Sequence, residues 1–313
     1  MPRPKRAAGY RMAFGGQATA SQRLTLRVLE SNIVTNWIRL VALTLAATSL
    51  GGCATRRYPV SGMVLQVDKQ RQTLLVSHER IPGYMDAMAM PFRVRDAKAL
   101  ELLRPGMRVE FQLVVNRQES WAERVRLKGG AQFEADPQAP APQPANSVVA
   151  GQPVPDFELT DQNRRPVKLS QFAGKVVAIT FIYTRCPLPD YCPRLSNNFA
   201  RLQERFGDRV GRDLTLLTVT FDPQYDGPEV LAAYGRGFKA NPDGWRFLSG
   251  PMPEIRRVCG IFGVDFWPDE GQITHSMRTA VIDRQGRLAA NLTGSDFTPQ
   301  QLGDLVRNVL NTP

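Results

Sequence analysis

Between residues 58 and 130 the apolar positions fall in short, partly alternating runs. Val60–Val67, Thr73–Val76, Met90–Val94, Val109–Val115 and Trp121–Leu127 are separated by turn or polar residues. Alternation at a period of two sends side chains to opposite faces, so these runs predict five strands. Ala97–Leu103 predicts one or two helical turns ahead of Pro105-Gly106. Five short strands in so little chain suggest a small all-β barrel, OB-like in kind.

From residue 148 the pattern changes. Asp156–Leu169 reads as a hairpin around Gln162-Asn163. Lys175–Tyr183 (KVVAITFIY) and Leu214–Phe221 are continuous apolar runs, the mark of strands buried on both faces. Pro193 suits the first position of a helix, and Leu195, Phe199, Leu202 and Phe206 follow at helical spacing. Two further helices are predicted over Pro228–Phe238 and Pro253–Phe262. Arg278–Asp283 and Leu288–Leu292 form a hairpin around Gln285-Gly286. A last helix opens at Thr298-Pro299 and buries Leu302, Leu305, Val306 and Val309. The order β-α-β-α-α-β-β-α predicts an α/β thioredoxin-like domain over residues 148–313. Residues 131–147, rich in Pro, Ala and Gln, have little to bury and read as an extended, semi-rigid linker.

The net charge of +11 invites a nucleic-acid reading. More than half of it, however, resides before residue 41, where seven Arg or Lys face one acid, Glu30. The remainder shows no basic run interleaved with aromatic residues, so no nucleic-acid partner is expected. Leu40–Leu50 is apolar or small, follows Arg39 and runs into Leu50-Gly51-Gly52-Cys53. Residues 1–53 therefore read as a signal peptide; about a dozen apolar residues are few for a membrane span. The Leu-x-Gly-Cys ending resembles a bacterial lipobox, which implies a lipidated Cys53. A signal anchor with an incidental Cys53 is the alternative. Both place the rest of the chain on the periplasmic face of the bacterial cell envelope, held to the membrane, where disulfides persist.

The chain has two histidines, and each has sulfur for company. His78 precedes Met85, Met88 and Met90. His275 lies downstream of Cys186 and Cys192. Imidazole with thioether or thiolate is a soft ligand set that selects copper, above all Cu(I). On a strand Met88 and Met90 face the same side and converge. Cys192 falls at a helix N-terminus, where the dipole favours thiolate. With Cys186 and His275 it makes an S₂N site suited to Cu(I) and, given a further ligand, to Cu(II). A structural Cys186–Cys192 disulfide is the plainer alternative. Cys259 reads as a small buried hydrophobe. Asp222 either orients groups near the site or merely turns the chain.

Four segments carry a resemblance: Tyr183-Thr184-Arg185-Cys186-Pro187, Cys192-Pro193, Thr220-Phe221-Asp222-Pro223 and Thr274-His275-Ser276. Residues 148–313 resemble the Sco/SenC family of thioredoxin-fold copper proteins. The resemblance implies that Cys186, Cys192 and His275 bind copper. It implies an acceptor too: the dinuclear copper centre of cytochrome c oxidase subunit II, or another cuproprotein, with a periplasmic copper donor upstream. The chain departs from the family in spacing its cysteines C-x5-C, where C-x3-C is usual; Leu188-Pro189 reads as an insertion. His78 to Phe92 resembles the metal-binding segment of CusF-like domains, which implies His78, Met88 and Met90 as Cu(I) ligands. That family's tryptophan lid aligns with Met85, which leaves Met85 as a further thioether or Tyr84 in the ring's role.

Together these features predict a copper metallochaperone with two stations in series, the linker raising the concentration of one site at the other. The alternative is a periplasmic thiol-disulfide oxidoreductase in which Cys186 and Cys192 reduce the acceptor's cysteines. Ordinary thioredoxins set a proline on the loop facing the cysteines, and Ile273-Thr274-His275-Ser276 has none. A peroxiredoxin-like reading is weaker, because Thr184 and Arg185 directly precede Cys186.

Overall fold

The computed structural model describes residues 55–128, 147–269 and 271–312. The leader, Cys53 and nearly all of the linker lie outside the described residues. Among the described residues no helix is long and apolar enough to cross a membrane.

The first half is a barrel of β1 (Arg56–Asp68), β2 (Thr73–His78), β3 (Met88–Arg93), β4 (Arg108–Val115) and β5 (Ser120–Leu127). Its order is β3-β2-β1-β4-β5, with antiparallel neighbours throughout. An isolated bridge between Val94, just past β3, and Ala122 of β5 brings the two outer strands together. Val64, Leu74, Val76, Phe92, Val109 and Phe111 fill the interior. The predicted helical stretch is a single 3₁₀ turn, Ala97–Leu100, capped by Asp96. All but one end of these strands match or outrun their apolar runs; β2 reaches His78 and β3 begins at Met88, and these two residues pair across the strands.

The second half is a seven-stranded sheet flanked by helices. Its strands are β6 (Glu158–Asp161), β7 (Pro166–Lys168), β8 (Val176–Ile182), β9 (Leu214–Thr220), β10 (Trp245–Ser249), β13 (Arg278–Ile282) and β14 (Leu288–Thr293). The order is β14-β13-β8-β9-β10-β6-β7, with β8, β9 and β10 parallel at the centre. Every residue of β8 and β9 is buried, as continuous apolar runs require. The helices are α1 (Cys192–Phe206), α2 (Pro228–Gly237), α3 (Met252–Ile261) and α4 (Pro299–Asn311). Thr298 and Gln301 close a reciprocal capping box on α4, which satisfies two of its free amide groups. A separate hairpin, β11 (Phe266–Asp269) with β12 (Gln272–His275), rises outside the sheet.

The thioredoxin-like architecture is as expected, but the predicted order lacked three strands. β10 is five residues long, and β11 and β12 are four each. Runs that short carry too little periodicity to register.

The barrel does not stand apart from the sheet. Met63 and Leu65 of β1 are fully buried within the apolar core of the thioredoxin-like half, and Leu75 of β2 packs against it. The outer face of β1 and β2 lies on α4. Ser77 Oγ donates to Asp304 Oδ2 at 2.7 Å, and Asn308 Nδ2 donates to the Leu65 carbonyl at 3.1 Å. Asp304 also pairs with Arg205 of α1. A side chain on Gly303 would strike that guanidinium, so the glycine lets Arg205 lie across α4. The Gly106 turn, at a φ of +88°, sits against Ala290 and Leu292 of β14.

Candidate metal centres

β8 ends at Ile182, and the chain turns through Tyr183-Thr184-Arg185-Cys186 towards α1. Two aspartates hold that turn. Asp226, fully buried, accepts from the Thr184 amide at 3.0 Å, from Thr184 Oγ1 at 2.5 Å and from Thr220 Oγ1 at 2.5 Å. Burial raises its carboxyl above the ordinary range, and the threonine bonds oppose the rise. Asp222 accepts from Arg185 at 2.6 and 3.2 Å, and the guanidinium lies 4.3 Å over the Tyr225 ring. Asp222 thus orients the neighbour of Cys186 rather than simply turning the chain. Asp226 escaped the sequence reading; its one signal was an acid four residues beyond Asp222.

Cys186 and Cys192 bracket a loop that closes on itself. The Tyr191 amide donates to the Leu188 carbonyl at 3.1 Å, and Ser295 Oγ donates to the Asp190 carbonyl at 2.7 Å. The two extra residues fit as a bulge, with Leu188 exposed to solvent. Cys192 is the first residue of α1 and wholly buried; Cys186 is part-exposed at the mouth. All three described cysteines are free thiols.

His275 arrives on β12. Its ring packs on Phe221 at 4.6 Å and edge-on to Tyr183 at 6.0 Å. Nδ1 lies 3.1 Å from the Ser276 carbonyl, an acceptor that draws the ring proton to that nitrogen. Nε2 is then left with its lone pair, 3.6 Å from Cys192 Sγ. A ring packed and tethered in this way matches the second-sphere support usual for metal-binding histidines.

The two thiols differ sharply. A hydrogen bond from Cys192 holds the Cys186 thiol down at about 4. Burial pushes Cys192 well above the usual thiol range, and the neighbouring Cys186 adds to that. This reverses the expectation that Cys192, at the helix N-terminus, is the thiolate. Desolvation inside the fold outweighs the helix dipole at Cys192. Burial likewise raises Tyr183 to about 12 and lifts Cys259, a core residue as expected. The group offers one ready thiolate, one protonated thiol and one imidazole whose Nε2 faces the sulfur. Among the described residues no three His, Cys, Asp or Glu are already drawn in to metal-ligand distance, so a bound ion would tighten this set.

The barrel holds the second set. His78 and Met88 are direct cross-strand partners, and Met90 lies opposite Val76. Cross-strand partners share a face, so His78, Met88 and Met90 lie on the same side of the β2–β3 pair. His78 is buried; its Nδ1 lies 2.7 Å from the Glu79 carbonyl, while Nε2 has no hydrogen-bond partner. A buried, unpartnered imidazole nitrogen is costly, and a soft cation would satisfy it. Met88 is 49% exposed, whereas Met85 and Met90 lean on the barrel core. Tyr84 stacks on Tyr58 at 4.5 Å, and the ring that meets His78 is Phe92, edge-on at 5.7 Å. Opposite His78 stands Gly62, where an added Cβ would come within 2.5 Å of Val76 Cγ1 and 2.9 Å of His78 Cα. Sequence reasoning missed Gly62, since nothing local marks a cross-strand close approach.

Comparison with known proteins adds to this geometry. The SCO1/SenC family profile matches residues 148–311, and that of the copper binding periplasmic protein CusF matches residues 57–126. A protein of Stutzerimonas stutzeri described as copper-binding is 29% identical over 144 residues, which is 44% of this chain and 68% of that one. Protein sco1 of Schizosaccharomyces pombe is 29% identical over 154 residues, 47% of this chain and 56% of its own length. The chain therefore spans little more than half of that relative. Among solved structures, ScoI of Bradyrhizobium japonicum with copper bound shares 25% identity at a TM-score of 0.43, covering 50% of this chain and 99% of that one. A SCO1/SenC family lipoprotein from Bacillus anthracis shares 26% at a TM-score of 0.45, covering 51% and 97%. The SCO1/SenC match takes in more than half of the residues and contains Cys186, Cys192 and His275; the chain belongs to the SCO1/SenC family and carries a CusF-like segment ahead of that domain.

Proposed function

We propose that the protein is a copper metallochaperone of the bacterial cell envelope. The thioredoxin-like domain, residues 148–313, holds copper through Cys186, Cys192 and His275. The barrel domain, residues 58–130, holds Cu(I) through His78, Met88 and Met90, with Met85 at the edge of that set. Copper is drawn from a periplasmic donor and passed to cytochrome c oxidase subunit II, at its dinuclear copper centre, or to another cuproprotein. Residues 1–53 export the chain, and lipidated Cys53 or an uncleaved anchor keeps it at the membrane.

The observation that carries this reading is the approach of His275 Nε2 to Cys192 Sγ beside a Cys186 thiolate. Two sulfurs and a neutral imidazole are a soft set without a hard oxygen donor. A thiol-disulfide reductase would use the same cysteines, but it has no use for His78 and the methionines.

Copper counting tests the proposal. The chain lacking residues 1–53, purified reduced and loaded with Cu(I), is expected to hold two equivalents. Cys186→Ala or His275→Ala removes one, and Met88→Ala with Met90→Ala removes the other. Absence of retained copper together with brisk disulfide reduction sinks the proposal in favour of the enzyme.

A further inference from the structure

The barrel's ligand-bearing strand ends are held from outside the barrel. His78 closes β2 and Met88 opens β3, with the irregular segment 79–87 between them. A residue beside each ligand is tied to the other half of the molecule. Ser77, just before His78, donates to Asp304 at 2.7 Å, and both side chains are buried. Glu79, just after His78, pairs at 3.2 Å with Arg108, whose other nitrogen reaches Asp296 at 2.6 Å. The carbonyl of Ala87, just before Met88, accepts from Gln300 Nε2 at 3.1 Å. Alternation puts Ser77 on the outer face of β2 and His78 on the inner one. The strand that leans on α4 therefore presents the imidazole with its unpartnered Nε2.

Resting on the copper reading of the barrel, we propose that Asp304, Asp296 and Gln300 are positioning residues for the His78–Met88–Met90 site, so that copper affinity in the barrel depends on its docking to the thioredoxin-like domain. None of the three touches the metal. They hold the two strand ends in register, and an undocked barrel loses that register where segment 79–87 frays. Coupling is reciprocal, so copper in the barrel tightens the docking. The same stretch of chain also reaches the other site, because Ser295 holds Asp190 in the cysteine loop. Docking thus sets the barrel site beside the element that supports the thiols.

The test uses the full chain in detergent, with Cys186→Ser and Cys192→Ser so that only the barrel binds. Cu(I) affinity is read by competition with a chromophoric chelator. Ser77→Ala and Gln300→Ala are expected to weaken it together about tenfold, within the 5–150-fold range of such couplings. Ser77→Thr, which keeps the hydroxyl, restores Ser77's share. In the metal-free protein the same pair of substitutions enlarges the radius of gyration by small-angle scattering, and Ag(I) reverses part of the change. With Met88→Leu and Met90→Leu in place of the cysteine changes, the thiol site keeps its affinity whether or not Ser77 and Gln300 are altered. Unchanged barrel affinity in Ser77→Ala/Gln300→Ala, with Met88→Leu/Met90→Leu still abolishing binding, overturns the positioning role and leaves the copper reading intact. No binding by the unaltered barrel overturns both.

Discussion

Ser77 on the barrel donates a 2.7 Å hydrogen bond to Asp304 on the last helix, 227 residues further along the chain. Both side chains are buried, and Arg205 neutralises the carboxylate from α1. A buried carboxylate with two partners is stable only while both remain in place. The barrel keeps a core of its own, and Met63 and Leu65 join it to the core of the thioredoxin-like half.

Unfolding is expected to be a single event. Met63, on the barrel, is wholly buried in the core of the thioredoxin-like half. Met63→Ala should cost about 2–5 kcal/mol, as for other large-to-small core changes. Urea titrations of single-tryptophan versions keeping Trp121 or Trp245 should report one midpoint, lowered equally by Met63→Ala. Two separate midpoints would show that the halves fold alone.

Alkylation should single out Cys186. Its thiol is held at about 4 by the bond from Cys192, while burial raises Cys192 well above the ordinary range. A lowered pKa means that the thiolate forms as pH rises through about 4 and is complete below neutrality. The iodoacetamide rate at Cys186, read by peptide mass, should climb through that region and be flat from pH 6 to 8. A rate still rising through the ordinary thiol range, near pH 8–9, contradicts the assignment.

Loading the thiol site should release protons. At neutral pH Cys186 has already lost its proton and Cys192 has not. Metal binding needs both as thiolates, so about one proton should leave per copper bound there. A pH-stat titration of metal-free protein measures it. His275→Ala should reduce copper affinity without changing the protons lost per copper retained.

Gly62→Ala should harm the barrel site and its fold together. The new Cβ would fall 2.7 Å from the Ser77 carbonyl oxygen and 2.9 Å from His78 Cα. Backbone atoms yield little, so overpacking should cost about 1–3 kcal/mol. Thermal melting gives the stability loss, and Cu(I) competition gives the displacement of His78. Wild-type values in both would mean the strands separate freely at this point.

Much of this was legible in the chain itself. Alternation gave away the five barrel strands, and the runs at Lys175–Tyr183 and Leu214–Phe221 marked the sheet centre, because local periodicity reports which faces are buried. The soft character of the two ligand groups was equally plain, since it depends on residue type alone. Tertiary structure decided what depends on residues far apart in sequence. It made Cys186, not Cys192, the thiolate, because burial of Cys192 at the start of α1 outweighs the helix dipole and leaves it to donate to Cys186. It recruited Asp226 to hold the cysteine turn, and Gly62 to let β1 approach His78. It also seated the barrel on α4, where a linker sequence had suggested only a tether. Docking depends on matching two surfaces built from Met63, Leu65, Ser77 and Asp304, and no local pattern encodes a match between surfaces that distant stretches of chain must first fold to create.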